Sequence, residues 1–106
     1  MINLLDEIKE RLLITGDFHD KILTGLITDV KEYMISAGVD ATVASSEKAI
    51  GAIAKGVFDL FNNNEFSDFF RQRTIQLTME EPTDEEPIPL LPPVEDNPEE
   101  GEDVQG

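Results

Sequence analysis

The chain changes character at Met79, and that break constrains the fold more than any other feature. All six prolines follow it, at Pro82, Pro87, Pro89, Pro92, Pro93 and Pro98. Proline removes a backbone donor and breaks helix interiors, so uninterrupted helices are open only to the first 79 residues. Charge divides at the same place. Residues 1–79 carry 12 acidic and 8 basic side chains, whereas residues 80–106 carry 11 acidic and none basic, out of a net −15. The last 27 residues also lack aromatics and cannot bury enough apolar surface to offset the entropy of ordering. The expectation is a helical domain over 1–79 and an acidic, proline-rich, disordered tail over 80–106. Within the tail, Ile88-Pro89-Leu90-Leu91-Pro92-Pro93 is an apolar island with polyproline character, which reads as an arm that docks on a partner.

A domain of this size buries only about 60–65% of the surface its unfolded chain exposes. It has no cysteine to staple it, and a lone His19 argues against a zinc site. Stability gained from neighbouring copies is therefore expected. The N-terminus places Asp6 and Glu7 where a signal peptide carries positive charge. No apolar run reaches the roughly 18–20 residues that span a bilayer. These features point to a soluble protein without a membrane partner.

Apolar spacing predicts an all-α fold, a small bundle of three to five helices followed by a C-terminal extended segment. Asn3 caps a first helix with Leu5, Ile8 and Leu12 on its apolar face, and Thr15-Gly16 stops it. Asp17 caps a second, whose stripe is Ile22, Leu26, Val30 and Tyr33, flanked by Leu23, Ile27 and Met34, with its end at Gly38. Residues 38–45 show no period and read as a loop. Ser45 or Ser46 caps a third helix with Ile50, Ile53, Val57, Leu60 and Phe61 as its stripe, ended by Asn62-Asn63-Asn64. Ala49, Ala52 and Gly56 form a small-residue stripe beside it. Gly51 and Gly56 each cost about 1 kcal/mol in a helix, which is easiest to explain if another backbone approaches closely. The stripe is thus a candidate subunit interface, the alternative being tight packing within the chain. Ser67 caps a short helical turn that passes into an extended Arg73–Met79.

No catalytic signature is present: no cysteine nucleophile, no G-x-S-x-G, no P-loop. His19 beside Asp20 reads as an ordinary surface residue, and Asp6-Glu7 as partners of the helix dipole. An enzyme is not expected, nor is a metal or cofactor site. The candidate binding element is Phe66-Ser-Asp-Phe-Phe-Arg-Gln-Arg-Thr-Ile-Gln-Leu77. In it Phe69, Phe70, Arg71, Arg73, Ile75 and Leu77 combine large apolar groups with the last positive charges of the chain, a composition typical of interfaces. The same phenylalanines also serve to complete a small core.

Two segments carry a family resemblance. Ala49-Ile-Gly-Ala-Ile-Ala-Lys-Gly-Val-Phe-Asp-Leu-Phe-Asn62 and Phe66–Leu77 together resemble the head–tail connector (adaptor) proteins of tailed bacteriophages of Gram-positive hosts, also described as putative DNA-packaging proteins. Gly56, Val57, Asp59, Leu60, Phe61 and Asn62 match one pattern of that family; Ser67, Phe70, Arg73, Gln76 and Leu77 match the other. The link Asn63-Asn64-Glu65 is shorter than the family's and lacks its glycine, and the acidic tail is longer than the resemblance leads one to expect. The resemblance implies a virion protein, assembled in the host cytoplasm, that forms a homo-oligomeric ring, commonly of about twelve copies. It implies the portal protein as partner on one side and a stopper or tail-completion protein on the other, with DNA passing through the channel without specific binding. Strand addition of residues 69–77 to a portal edge is the expected docking mode. The rival expectation, from charge alone, is an acidic regulatory or DNA-mimic protein that occupies a nucleic-acid site on a host enzyme.

Overall fold

The computed structural model describes residues 3–82, 84 and 86–91. Among these, secondary structure is entirely helical: α1 Leu4–Arg11, α2 Asp20–Ser36, α3 Ala41–Ala44, a 3-10 turn Glu47–Ala49, α4 Ile50–Asn63 and α5 Asp68–Thr78. The most extensive pairing is α2 with α4; α1 packs on both, and α5 on α4.

Asn3 caps α1 as expected, its Oδ1 accepting from the Asp6 N–H at 2.9 Å. The helix stops earlier than Gly16. Leu13 takes a left-handed φ of 60°, its N–H donates to Glu10 O, and the Ile14 N–H reaches back to Lys9 O. This is the Schellman arrangement, here built on leucine rather than glycine. Gly38, at φ 114°, closes α2 with the same pattern through Val39 and Met34. Between the two helices, Lys9 Nζ donates to Gly16 O and pairs with Asp20 at 2.6 Å, fixing the corner. Asp17 is not the cap of α2: that position is His19, which makes no side-chain capping bond.

The buried face of α2 is rotated from the expected stripe. Leu23, Ile27, Val30 and Met34 are the core residues, while Ile22 and Tyr33 are exposed. A seventeen-residue helix with apolar side chains on more than half its circumference has two candidate stripes; packing on α4 selects one. Residues 38–45 also depart from expectation. Asp40 caps the short α3, accepting from the Thr42 N–H at 2.8 Å, and Val39, Val43 and Ala44 are buried. Four residues are too few to show a period, so the helix is invisible to pattern. The extended segment expected over Arg73–Met79 is helix instead, continuous with the turn that Ser67 starts.

The tail turns back on the body. Ile88 N–H donates to Ser45 O at 2.8 Å, and the Leu4 and Leu5 N–H groups donate to Pro89 O and Leu90 O at 2.7 and 2.9 Å. Ile88 and Leu90 are half-buried against the core. Three donors that the first turn of α1 leaves open thus have acceptors: Leu4 and Leu5 on this strap, and Asp6 on the Asn3 side chain. The boundary at residue 79 therefore does not separate two independent objects. Of the tail expected to be disordered, residues 83, 85 and 92–106, including the Pro92-Pro93 end of the apolar island, lie outside the described residues.

Ala49, Ala52 and Gly56 are all buried by this chain's own side chains. A Cβ on Gly56 would lie 2.7 Å from Phe70 Cε1 and 2.9 Å from Val30 Cγ1, so side chains of α5 and α2, not a backbone, occupy the gap. At Gly51 a Cβ meets nothing within 4 Å, and nothing in the structure explains that glycine. The two positions therefore respond oppositely to alanine. Gly51→Ala is expected to stabilise by about 0.5–1 kcal/mol through helix propensity. Gly56→Ala is expected to destabilise by about 1–3 kcal/mol through overpacking. Urea denaturation of both variants reads the difference in sign.

Candidate partner-binding surface

The α4–α5 hairpin is held by a polar clamp beside an aromatic one. Asp59 is 1% exposed. Its Oδ2 accepts from the Ser67 N–H at 3.0 Å and from Ser67 Oγ at 2.7 Å, and Oδ1 faces Lys55 Nζ at 3.2 Å. Ser67 Oγ in turn accepts from the Phe70 N–H at 3.2 Å, capping α5. Asn64, with a left-handed φ of 63°, makes the turn between the helices. Burial alone would raise the Asp59 pKa; the two bonds from Ser67 and the Lys55 ammonium outweigh it and hold the carboxyl below its ordinary 3.8. Phe70 enters the space left by Gly56. It stacks on Phe66 with centroids 4.4 Å apart, and Tyr33 of α2 closes the group at 4.7 Å from Phe66.

This joint divides the six residues expected to face a partner. Phe70 and Leu77 are core, 0% and 2% exposed. Arg73 is half-buried and donates to Gln76 Oε1 at 2.7 Å. Phe69, Arg71 and Ile75 remain on the outside; Phe69 and Ile75 are 60% and 58% exposed. Arg71 pairs with Asp68 at 3.5 Å across one turn, an exposed contact of small energetic weight. Arg71, Ile75 and Met79 recur every four residues and so share one stripe of the helix surface. Met79, 79% exposed, belongs to this surface. Because 73–78 are helical, their backbone N–H and C=O groups are spent internally and cannot add a strand to another sheet.

A second apolar surface escaped the sequence reading. The His19 ring lies between Phe18 and Phe61, with centroids 4.9 and 5.4 Å away in edge-to-face geometry. Phe18 is almost fully exposed, as is much of Ile22 one turn further on. Lys55 Nζ stands 5.0 Å from the Phe58 ring centre. Ile22 faces outward because α2 buries Leu23, Ile27, Val30 and Met34 instead. Among the described residues no group of three or more acids and histidines is placed to hold a metal ion. None of the described helices is long and apolar enough to cross a membrane.

The chemistry available here is that of non-covalent association: an arginine and three exposed apolar side chains on a helix positioned by a buried carboxylate. Asp59→Ala is expected to destabilise by about 2–3 kcal/mol, because Ser67 loses a charge-assisted acceptor inside the joint. The pH dependence has a definite sign. With the native pKa depressed, the contribution of Asp59 is complete above the ordinary carboxylate value and is lost as pH falls through the native one. Wild type should therefore lose stability more steeply than Asp59→Ala on acidification below about pH 4, as read by urea midpoints across that range. Comparison with protein-family models, curated proteins and solved structures finds no match to this chain.

Proposed function

We propose that this chain is a head–tail connector subunit of a tailed bacteriophage. It is a structural, non-enzymatic virion component that forms a ring between portal and tail-proximal stopper and continues the DNA channel. The observation that supports this best is the placement of the two sequence patterns on which the resemblance rests. Gly56, Asp59 and Asn62 of the first, and Ser67, Phe70 and Leu77 of the second, fall on one helical hairpin. There Gly56 receives Phe70 and Asp59 receives Ser67. A pattern whose members interlock is more specific than one whose members are scattered. It builds a rigid platform for Phe69, Arg71, Ile75 and Met79, the portal-facing side chains in this reading. Phe70 and Leu77 act through their position in the core. Docking is of the helix-in-groove kind.

The charge of the body fits the same role. Residues 1–79 carry a mild net negative charge, and a wall of that sign avoids the phosphate contacts that would hold DNA in the channel.

The test is attachment of Phe69→Ala/Arg71→Ala/Ile75→Ala to purified portal-bearing capsids. All three side chains are exposed, so circular dichroism and the thermal midpoint should match wild type. Attachment should fall at least about tenfold, equivalent to about 1.4 kcal/mol. Undiminished attachment by the folded variant would sink the assignment.

A further inference from the structure

The strap Ile88–Leu91 is bound as a peptide ligand is bound. Its recognition is almost entirely by main chain: Ile88 N–H to Ser45 O, and Pro89 O and Leu90 O to the Leu4 and Leu5 N–H groups. Ile88 and Leu90 lie half-buried on the core, with Pro89 and Leu91 facing outward between and beyond them. Beside the strap, a cavity of about 260 Å³ lined by Ala41, Thr42, Ser45 and Pro87 remains open. The site therefore takes an extended apolar-proline-apolar segment, and it offers helix N-terminal donors that proline's carbonyl satisfies without needing an N–H in return.

We propose that this groove also accepts the strap of a second copy of the chain, so that the segment docks in trans as well as in cis. Three hydrogen bonds and two half-buried aliphatics make a modest contact, without an ion pair or a fully buried anchor. Its occupancy in cis follows from the high local concentration that a short tether provides. Nine residues, Met79–Pro87, join α5 to the strap and span at most about 30 Å. As protein concentration rises, the strap of a second copy competes for the groove, and every contact it makes is chemically identical to the one displaced. Exchange of an identical element is a low-cost route to association. Strap into groove is a head-to-tail contact, which closes as a reciprocal pair or as a larger ring. The inference does not require the connector reading, and neither assay below contains portal.

The experiment uses full-length wild type and full-length Ile88→Asp/Leu90→Asp, in which the strap is disabled and the groove intact. A fluorescein-labelled peptide of residues 86–91 is titrated against each by anisotropy. It should bind the double variant at least tenfold more tightly than wild type, whose groove is already filled. In sedimentation velocity over a concentration series, wild type should associate and the double variant should remain a monomer. Failure of the peptide to bind the folded double variant overturns the proposal. So does equal binding to both proteins, which places the peptide elsewhere. Peptide binding without strap-dependent association overturns the assignment to a second copy. If the aspartates cost helical signal, Ile88→Ala/Leu90→Ala takes the double variant's place under the same criteria.

Discussion

The contact between Gly56 and the ring of Phe70 organises the rest of the molecule. A hydrogen atom at position 56 leaves the space beside α4 that Phe70 of α5 and Val30 of α2 both border. Phe70 also lies against Tyr33 of α2, and its ring is wholly buried. That single ring ties together three helices that are far apart in the chain. With Phe70 inserted, Leu77 two turns later falls on the same side and joins the core. Phe69 and Ile75 are left outside for the same reason, since a helix that buries one face must present the other. The outward surface on α5 is thus a consequence of the inward contact.

The polar half of the joint does a different job. Asp59 is buried, and a buried carboxylate is costly unless its oxygens are satisfied. Ser67 satisfies one oxygen twice and at the same moment starts α5. Lys55, one turn earlier on α4, faces the other. Where α5 begins is therefore set by a residue on α4. The aromatic contact fixes how closely the helices pack, and the carboxylate fixes their register.

The strap shows the same economy at the start of α1. The first turn of any helix leaves backbone donors without partners, and a single capping residue cannot serve them all. The Asn3 side chain serves one and the returning tail serves two more. A segment whose composition forbids a core of its own becomes ordered over a few residues because it borrows the core and the unpaired donors of the domain. Proline suits this position, since it lacks the donor that would otherwise need an acceptor there.

Much of this was legible in the residue order. Helix spacing, the caps Asn3 and Ser67, the stop at Asn64 and the absence of strand-forming geometry in the first 65 residues follow from rules that act within a few residues of each other. The break in proline and charge at Met79 is of the same local kind. Tertiary contact decided the rest. The core-facing stripe of α2 depended on where α4 lay, because Ile22 and Leu23 are equally apolar. The small residues of α4 proved to receive Phe70 and Val30, because a missing Cβ advertises a close approach without naming what approaches. Residues 73–78 became helix rather than strand once Phe70, Thr74 and Leu77 found one common core to face. Thus the chain's own order determined a helical domain with an acidic, proline-rich end. Only the three-dimensional packing decided which phenylalanine is buried, which arginine stays on the outer surface, and that the tail's apolar island returns to the domain, because those outcomes turn on side chains far apart in sequence competing for the same space.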